Sequence, residues 1–200
     1  MRTIHICSGV PGSGKTTYTE ALDKSTNFVV HRDEVRASLR KHAIEETGKD
    51  PGYFPCSAEL EYKAWVAACA MAIIDHPSYN HFWFDQTTLG NGSARKFINA
   101  LAEILNQPNI SARDHIDFFD IHIEVFDVPL KTCLERNALR EGDLRVPDDI
   151  MENMANAFSP NYMLRSGLKI PNRMNTLYLG INYLEFNENG ELIKSHLTRI

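Results

Sequence analysis

The sequence contains no run of about 18 or more apolar residues, so we expect no membrane-spanning helix. Its first residues lack the long apolar core and small-residue cleavage site of a signal peptide, which favours a cytoplasmic protein. Cysteine is scarce and no C-x-x-C pair occurs, which excludes the common zinc-site and disulfide patterns. We therefore expect reduced thiols with packing roles at Cys7, Cys56, Cys69 and Cys133.

Positive charge is also in short supply, because 26 Asp and Glu residues outnumber 21 Lys and Arg and give a formal net charge of −5. This balance argues against broad, non-specific attraction to nucleic acid. It is compatible with an enzyme that holds one nucleic-acid end in a local basic pocket, and it mildly favours a small acceptor. The length of 200 residues and the 43% hydrophobic content suit one domain over residues 1–200. The sequence does not reveal the oligomeric state.

Short apolar segments alternate with amphipathic ones along the chain, which predicts an α/β fold with a mainly parallel sheet between helices. Asp33 is expected to cap the second helix, and Pro147 to open the last one. The third helix is expected to carry one apolar side formed by Leu60, Ala64, Ala67, Ala68, Met71 and Ile74. We place strands at 3–8, 27–31, 81–85 and 118–126, helices at 15–22, 33–41, 57–74, 93–106, 130–140 and from 147, and a terminal β-hairpin at 177–198.

The segment GVPGSGKT, residues 9–16, matches the phosphate-binding pattern G-x-x-x-x-G-K-[ST] at every fixed position. Its glycines let backbone N–H groups close around phosphate oxygens, and the N-terminus of the following helix adds a favourable dipole. Lys15 is expected to bridge the terminal phosphates, and Thr16 to offer a hydroxyl to Mg²⁺. The pattern therefore predicts that ATP and Mg²⁺ bind at Gly9, Gly12, Ser13, Gly14, Lys15, Thr16 and Thr17.

Three arginines, Arg136, Arg140 and Arg145, surround a predicted helix break at the sequence EGD. Arg136 and Arg140 are spaced i, i+4 on the predicted helix, so both can reach one ligand. We predict that residues 136–147 form a mobile helical lid over ATP. A solvated helix face is the alternative.

Carboxylates follow two of the predicted strands, where ligands bind in open α/β sheets. Asp85 could bind Mg²⁺ or its waters, or it could cap the next turn. Asp33 could accept a proton from an attacking hydroxyl, and Arg36 could hold an anionic part of the acceptor. Asp33 and Arg36 could equally form an ordinary i, i+3 ion pair, and their spacing alone does not decide.

Four segments together resemble the kinase domain of the phage-type 5′-hydroxyl polynucleotide kinases, in order and over residues 4 to about 158. They are GVPGSGKTT, HRDEVRASL, FWFDQTTL and VFDVPLKTCLERNALREGDLRVPDDIMENM. The P-loop and the arginine-rich lid occur in several small P-loop kinases. R-D-x-x-R after the second strand and VFDVP before the lid helix are the more specific parts.

The resemblance implies a P-loop kinase fold that phosphorylates a nucleic-acid 5′-hydroxyl with ATP and Mg²⁺. It implies that Asp33 is the general base and that Arg36 holds the 3′-phosphate of the acceptor nucleotide. It also implies that Asp85 is an essential strand-end aspartate. Arg140 matches the lid arginine on the donor phosphates, and Arg136 a second lid position.

The chain departs from the family in two places. The loop after Asp85 reads QTTLGNGS and is one residue longer, so the family threonine that touches the acceptor phosphate corresponds to Thr87 or to no residue. The D-x-D-G-T motif that opens the phosphatase domain of bifunctional relatives does not occur, which implies a kinase alone. We thus expect catalysis by Lys15, Asp33 and Arg140.

Other functions stay open. The acceptor hydroxyl could belong to a modified DNA base, a nucleoside or another small metabolite. The aromatic residues Tyr53, Phe54 and Tyr162 could stack on bases, or they could simply pack. The chain could also be a non-catalytic nucleotide-dependent switch, although such a switch needs no acceptor base.

Overall fold

The computed structural model describes residues 2–88, 91–107, 119–158, 176–187 and 192–199. The strands are β1 (Arg2–Ser8), β2 (Asn27–His31), β3 (His81–Asp85), β4 (Phe119–Phe126), β5 (Thr176–Phe186) and β6 (Leu192–Arg199). The helices are α1 (Lys15–Glu20), α2 (Arg32–Thr47), α3 (Ala58–Asp75), α4 (Asn91–Leu105), α5 (Leu130–Ala138) and α6 (Asp148–Ala157), with a 3₁₀ turn at Gly142–Leu144.

The six strands form one sheet in the order β2-β3-β1-β4-β5-β6. Neighbours from β2 to β5 run parallel, and β6 alone pairs antiparallel, with β5. The predicted α/β fold with a mainly parallel sheet is therefore confirmed. The expected hairpin is present as β5 and β6, but β5 also pairs along β4, so the hairpin extends the main sheet. The expectation of one domain over residues 1–200 stays a prediction.

The main hydrophobic core lies between one face of the sheet and the helices α3 and α4. Ile4 and Ile6 from β1 are fully buried there, beside Phe82 and Phe84 from β3. Trp65 of α3 closes the core, and burial of one such aromatic side chain contributes roughly 1.5–3 kcal/mol. Because β1, β2 and β3 pair in parallel above this core, their carboxyl ends meet at one edge of the sheet.

The prediction of which side of α3 is buried is wrong. Leu60 and Met71 are 53% and 47% exposed, and the helix instead buries a face that includes Trp65, Cys69 and Ile73. The segment AWVAACAMAII is apolar almost all round, so its periodicity does not select a face, and packing against the sheet makes the choice. Ser57 caps this helix, because its side chain accepts a hydrogen bond from the Leu60 amide at 3.3 Å.

The ends of three other helices also differ from expectation. His31 occupies the cap position of α2, so Asp33 lies inside the first helical turn and does not cap. This helix also runs past residue 41 to Thr47. The helix α5 ends at Ala138, before Arg140. Pro147 precedes α6 as its cap residue and is not its first helical residue.

Two expectations from composition have a structural counterpart. All four cysteines are free thiols, and Cys7, Cys69 and Cys133 are buried. Across the residues that the structure describes, no helix is both long enough and apolar enough to cross a membrane.

Candidate active site

The loop between β1 and α1 approaches the backbone of α5 so closely that it requires glycine. Gly12 has φ +80°, and a Cβ atom there would lie 2.5 Å from the carbonyl oxygen of Cys133. Gly14 has φ +86° and immediately precedes α1. Both angles lie where residues with a Cβ atom are strained, so this backbone conformation depends on glycine. The loop thereby leads directly into the N-terminus of α1, as the sequence pattern predicted.

Lys15 lies folded into this loop and is only 7% exposed. Its Nζ atom donates to the carbonyl oxygens of Gly9 at 3.0 Å and Val10 at 2.8 Å, and to Ser13 Oγ at 3.2 Å. Burial lowers the pKa of Lys15, because the ammonium group loses water. The amine is therefore held by weak, neutral partners, which phosphate oxygens can replace.

Thr16 and Asp85 meet at the strand edge. Thr16 Oγ1 donates to Asp85 Oδ2 at 2.6 Å, and His31 Nδ1 lies 3.0 Å from the same oxygen. Burial opposes ionisation of Asp85, but hydrogen bonds from His31 and Thr16 outweigh it and lower the Asp85 pKa. The hydrogen bond to Asp85 in turn raises the pKa of His31.

A hydroxyl and an ionised carboxylate at one point are the oxygen ligands that Mg²⁺ prefers. Thr16 and Asp85 therefore fit the magnesium ion of P-loop enzymes, which neutralises charge on the phosphates when it is bound. The sequence did not single out His31, although its position directly before α2 places it at the end of β2. The available signal was a histidine at the end of β2, two residues before the candidate base Asp33.

Arginines from the other side of the P-loop complete a cleft of about 320 Å³ for the donor phosphates. Arg136 Nη1 donates to the Gly12 carbonyl at 3.4 Å, and Arg140 lines the same cleft. The cleft is lined by Gly12, Ser13, Gly14, Lys15, Thr16, Thr17, Arg136, Arg140 and Phe186. Arg136 and Arg140 thus converge as predicted, but from a helix and from the loop after it, not from one helix face.

A buried asparagine holds the lid segment in place. Asn137 is fully buried, its Nδ2 donates to the Val146 carbonyl at 2.6 Å, and its Oδ1 accepts from the Val146 amide at 3.1 Å. These two bonds close a loop that carries Arg140 at one end. Arg145 lies 3.8 Å from Asp148 and lines neither cleft, so the expected role of a third lid arginine has no support.

Asp33 and Arg36 form the ion pair that their spacing allowed, and they also line a second cleft. Arg36 Nη1 lies 2.6 Å from Asp33 Oδ1, while the Asp33 side chain stays 61% exposed. Tyr53 joins them, because its hydroxyl donates to Asp33 Oδ1 at 2.9 Å and accepts from Arg36 Nη1 at 2.7 Å. Burial raises the pKa of Tyr53, and the charge of Asp33 adds to the effect.

Glu61 holds Arg36 in place through a buried ion pair. It is 5% exposed, and its Oε1 atom accepts from Arg32 Nε at 2.8 Å and from Arg36 Nε at 2.9 Å. The Nε contact leaves the Arg36 fork directed toward Asp33 and Tyr53. Sequence reasoning missed Glu61 and Arg32, because a glutamate in the first turn of a helix is ordinarily solvated.

The two clefts share their central residues. The second cleft, of about 270 Å³, contains Asp33, Arg36, Asp85 and Thr87, and it also reaches Lys15, Thr16 and Arg140. Lys15, Thr16 and Arg140 therefore lie between the cleft for the donor phosphates and the cleft that holds the candidate base. Molecules bound in the two clefts would meet at these three residues.

Residues 4–161 match the model of a protein family described as AAA domain. The chain belongs to this family. Together with the P-loop geometry, membership makes it a kinase-like P-loop phosphotransferase, a class that uses ATP and usually Mg²⁺. The description of the family names no acceptor.

Several solved structures are similar to the chain. A sugar kinase from Janibacter sp. HTCC2649 is 14% identical, with a TM-score of 0.48 over 90% of this chain and 86% of that chain. The tunicamycin resistance protein of Deinococcus radiodurans is 17% identical, with a TM-score of 0.48 over 82% and 84%. The deoxyadenosine kinase of M. mycoides is 14% identical, with a TM-score of 0.44 over 78% and 81%. Among curated proteins, no sequence matches the chain.

Proposed function

We propose that the chain transfers the γ-phosphate of ATP to a 5′-hydroxyl at a nucleic-acid end, in DNA or RNA. The supporting observation is that Asp33 and Arg36 line the same cleft as Lys15 and Arg140. A carboxylate can accept a hydroxyl proton, and a guanidinium can bind an anion in two-point contact. The preferred acceptor therefore carries a hydroxyl with a phosphate close to it.

Each residue has a distinct role in this proposal. Asp33 accepts the proton of the acceptor hydroxyl as the oxygen attacks phosphorus, and Lys15 and Arg140 neutralise charge on the transferred group. Arg36 holds the neighbouring phosphate of the acceptor, with Asp85 and Thr87 on the adjoining wall. Arg36 and Tyr53 both contact Asp33 through Oδ1, so we assign Oδ2 to the acceptor hydroxyl.

Two aromatic side chains beside Arg36 favour an acceptor that carries a base. The Arg36 Cζ atom lies 5.1 Å from the Tyr53 ring centroid and 5.8 Å from that of Phe54. Phe54 is 68% exposed, which is unusual for a phenylalanine and leaves its ring available for stacking. Stacking of a base on such a ring contributes about 1–3 kcal/mol. Tyr162, the third aromatic residue considered from the sequence, lies outside the described residues.

A small phosphorylated metabolite or a nucleoside is the second candidate acceptor. The cleft volume of about 270 Å³ favours it, because this is room for one nucleotide-sized group or less. The net charge of −5 points the same way, since a long polyanion gains little from it. A hydroxyl on a modified DNA base would need the same carboxylate and differs only in the surrounding contacts.

The decisive experiment incubates the chain with γ-labelled ATP and Mg²⁺ and offers a panel of acceptors. The panel contains 5′-hydroxyl DNA and RNA oligonucleotides, nucleoside 3′-monophosphates, unphosphorylated nucleosides, sugars and duplexes with hydroxylated bases. We expect label on 5′-hydroxyl ends and on nucleoside 3′-monophosphates, and much less on nucleosides. Label found only on sugars or nucleosides would favour the second candidate, and label on no acceptor would favour a switch.

Variants separate the two roles within the acceptor cleft. We expect Asp33→Ala to abolish transfer while ATP still binds, because only the base is removed. Arg36→Ala should raise the acceptor KM and remove the preference for a 3′-phosphate. Lys41→Ala is the control, since Lys41 is exposed on α2, pairs with Glu45 and lines neither cleft. Near-normal turnover of Asp33→Ala would contradict the mechanism.

A further inference from the structure

A cluster of histidines lies on the sheet face opposite the main core, away from both clefts. We call His5, His81, His122 and Glu124 the histidine cluster. Alternation along β1 places His5 on the opposite face from Ile4 and Ile6, and the pairing of β1 with β4 sets His5 beside His122. None of these four residues lines either cleft, and the proposed kinase chemistry uses none of them.

We propose that His5, His122 and Glu124 bind one divalent transition-metal ion, with Zn²⁺ as the expected ion. One ligand atom from each of the three residues lies within 4.8 Å of the other two. The shortest pairs are His5 Nδ1 to Glu124 Oε1 at 2.6 Å and His122 Nδ1 to Glu124 Oε1 at 3.8 Å. Two imidazoles and one carboxylate are a known ligand set for Zn²⁺, which leaves its fourth position to water.

The outer contacts of the cluster favour metal binding over a simple ion pair. A metal-binding histidine normally engages its second ring nitrogen with another polar group, which fixes the ring. His5 does so, because its Nε2 lies 3.0 Å from His81 Nδ1. Glu124 does the equivalent, because its Oε2 accepts from Asn182 Nδ2 at 2.8 Å. These contacts orient the remaining ligand atoms of the two residues, His5 Nδ1 and Glu124 Oε1, toward the same point.

The burial of Glu124 also favours a cation at this site. The Glu124 side chain is only 1% exposed, so its charge is almost fully removed from water. The side-chain oxygens Asn182 Oδ1 and Asp120 Oδ1 are buried nearby on the same face, without a hydrogen-bond partner among the described residues.

The competing interpretation is a hydrogen-bonded network in which a proton on His5 balances Glu124. In the metal-bound form, the ion would take the place of that proton between His5 and Glu124. The two interpretations differ in the ion selected. Mg²⁺ prefers oxygen ligands such as Thr16 and Asp85, whereas imidazole nitrogens favour Zn²⁺ and its neighbours.

The test measures metal content directly. The chain is stripped with a chelator, dialysed against Zn²⁺ in the presence of excess Mg²⁺, and analysed by elemental mass spectrometry. We expect about one Zn²⁺ per chain and a higher melting temperature in the metal-bound form. Co²⁺ serves as a second probe, because the His5 ring stacks on Trp83 at 3.9 Å and bound Co²⁺ should quench the emission of that tryptophan.

Two variants test the ligand assignment. His122→Gln and Glu124→Gln should each weaken Zn²⁺ binding at least about tenfold. His42→Gln is the matched control, because that histidine is exposed on α2 and pairs with Glu46. His122 is partly exposed, so its variant keeps the test valid even if Glu124→Gln fails to fold. Absence of stoichiometric Zn²⁺ from the native chain, or equal Zn²⁺ binding by the native chain and His122→Gln, would overturn the proposal.

Discussion

The two halves of the active site are built in different ways. The donor half takes most of its atoms from one short stretch, residues 9–17, whose shape follows from Gly12 and Gly14. The acceptor half assembles Asp33 and Arg36 with Tyr53 and Glu61, which come from α2, the following loop and α3. Local sequence thus determines the shape of the donor half, while tertiary packing assembles the acceptor half.

The halves also differ in how their charges are balanced. Lys15 is buried and held by neutral carbonyl oxygens, so it gives little to stability and is available to the donor. Arg36 already has Glu61 and Asp33 as anionic partners. Substitutions in the donor half should therefore lower the rate of transfer. Substitutions in the acceptor half should instead disturb the orientation of the side chains that bind the acceptor.

Lys15→Met should give the largest effect. We expect transfer to fall by about 10³-fold, because a preorganised charge on the transferred group is lost. Stability should be unchanged or higher, since the buried ammonium is replaced by an apolar group of similar length. The measurements are turnover with labelled ATP and the free energy of unfolding, with exposed Lys24→Met as the control. Activity within tenfold of the native chain would contradict the donor assignment.

Glu61→Gln should affect the acceptor half alone. Without the carboxylate, Arg36 loses its fixed orientation, and we expect the acceptor KM to rise about tenfold. The maximal rate and the affinity for ATP should change little, because Glu61 does not line the donor cleft. Glu59→Gln, on the exposed side of α3, is the matched control. A fall in ATP affinity equal to the rise in acceptor KM would instead indicate a general structural role.

Asn137→Ala should weaken the lid. The substitution leaves the amide and carbonyl of Val146 without their partner, so we expect the free energy of unfolding to fall by about 2 kcal/mol. The KM for ATP should rise as well, because Arg140 lies in the released segment. Asn106→Ala is the control, because Asn106 is exposed and donates to the Ala102 carbonyl, and it should cost less than about 0.5 kcal/mol. Equal losses in denaturant titrations of the two variants would refute this role.

His31→Gln should give the smallest effect, and it should depend on pH. The pKa of His31 is raised and that of Asp85 is lowered, so their pair stabilises the fold between those two values. The stabilisation is complete below the ordinary histidine pKa of 6.5 and is lost as pH rises through the raised value. We expect His31→Gln to cost about 1 kcal/mol near pH 6 and almost nothing at pH 9.

Denaturant titrations at the two pH values check this prediction. His42→Gln on the exposed surface of α2 should show no such dependence. A cost that is constant from pH 6 to pH 9 would mean that the charge of His31 does not contribute.

Except for Phe186, every residue that lines the cleft beside the P-loop was among those that the sequence predicted to bind ATP, because the pattern is local and tolerates few alternatives. The sequence also identified Asp33 and Arg36, whose role their spacing left open, and the structure shows that they line one cleft with Lys15 and Arg140. It could not identify Glu61, which lies 25 residues from Arg36 on a helix whose inward face was predicted wrongly. Because α3 is apolar on nearly every side, no periodicity reveals that Glu61 is buried while its neighbours Glu59 and Leu60 are exposed.

By itself, the sequence determined the α/β order of elements and a phosphate-binding loop, since strand alternation and glycine conformation are properties of neighbouring residues. Only the tertiary structure decided which charges are buried and paired. It placed Glu61 beneath Arg36, His31 against Asp85, and His5 against Glu124. The reason is that the energy of a charge depends on its solvation and on partners distant in the chain, neither of which a local pattern records.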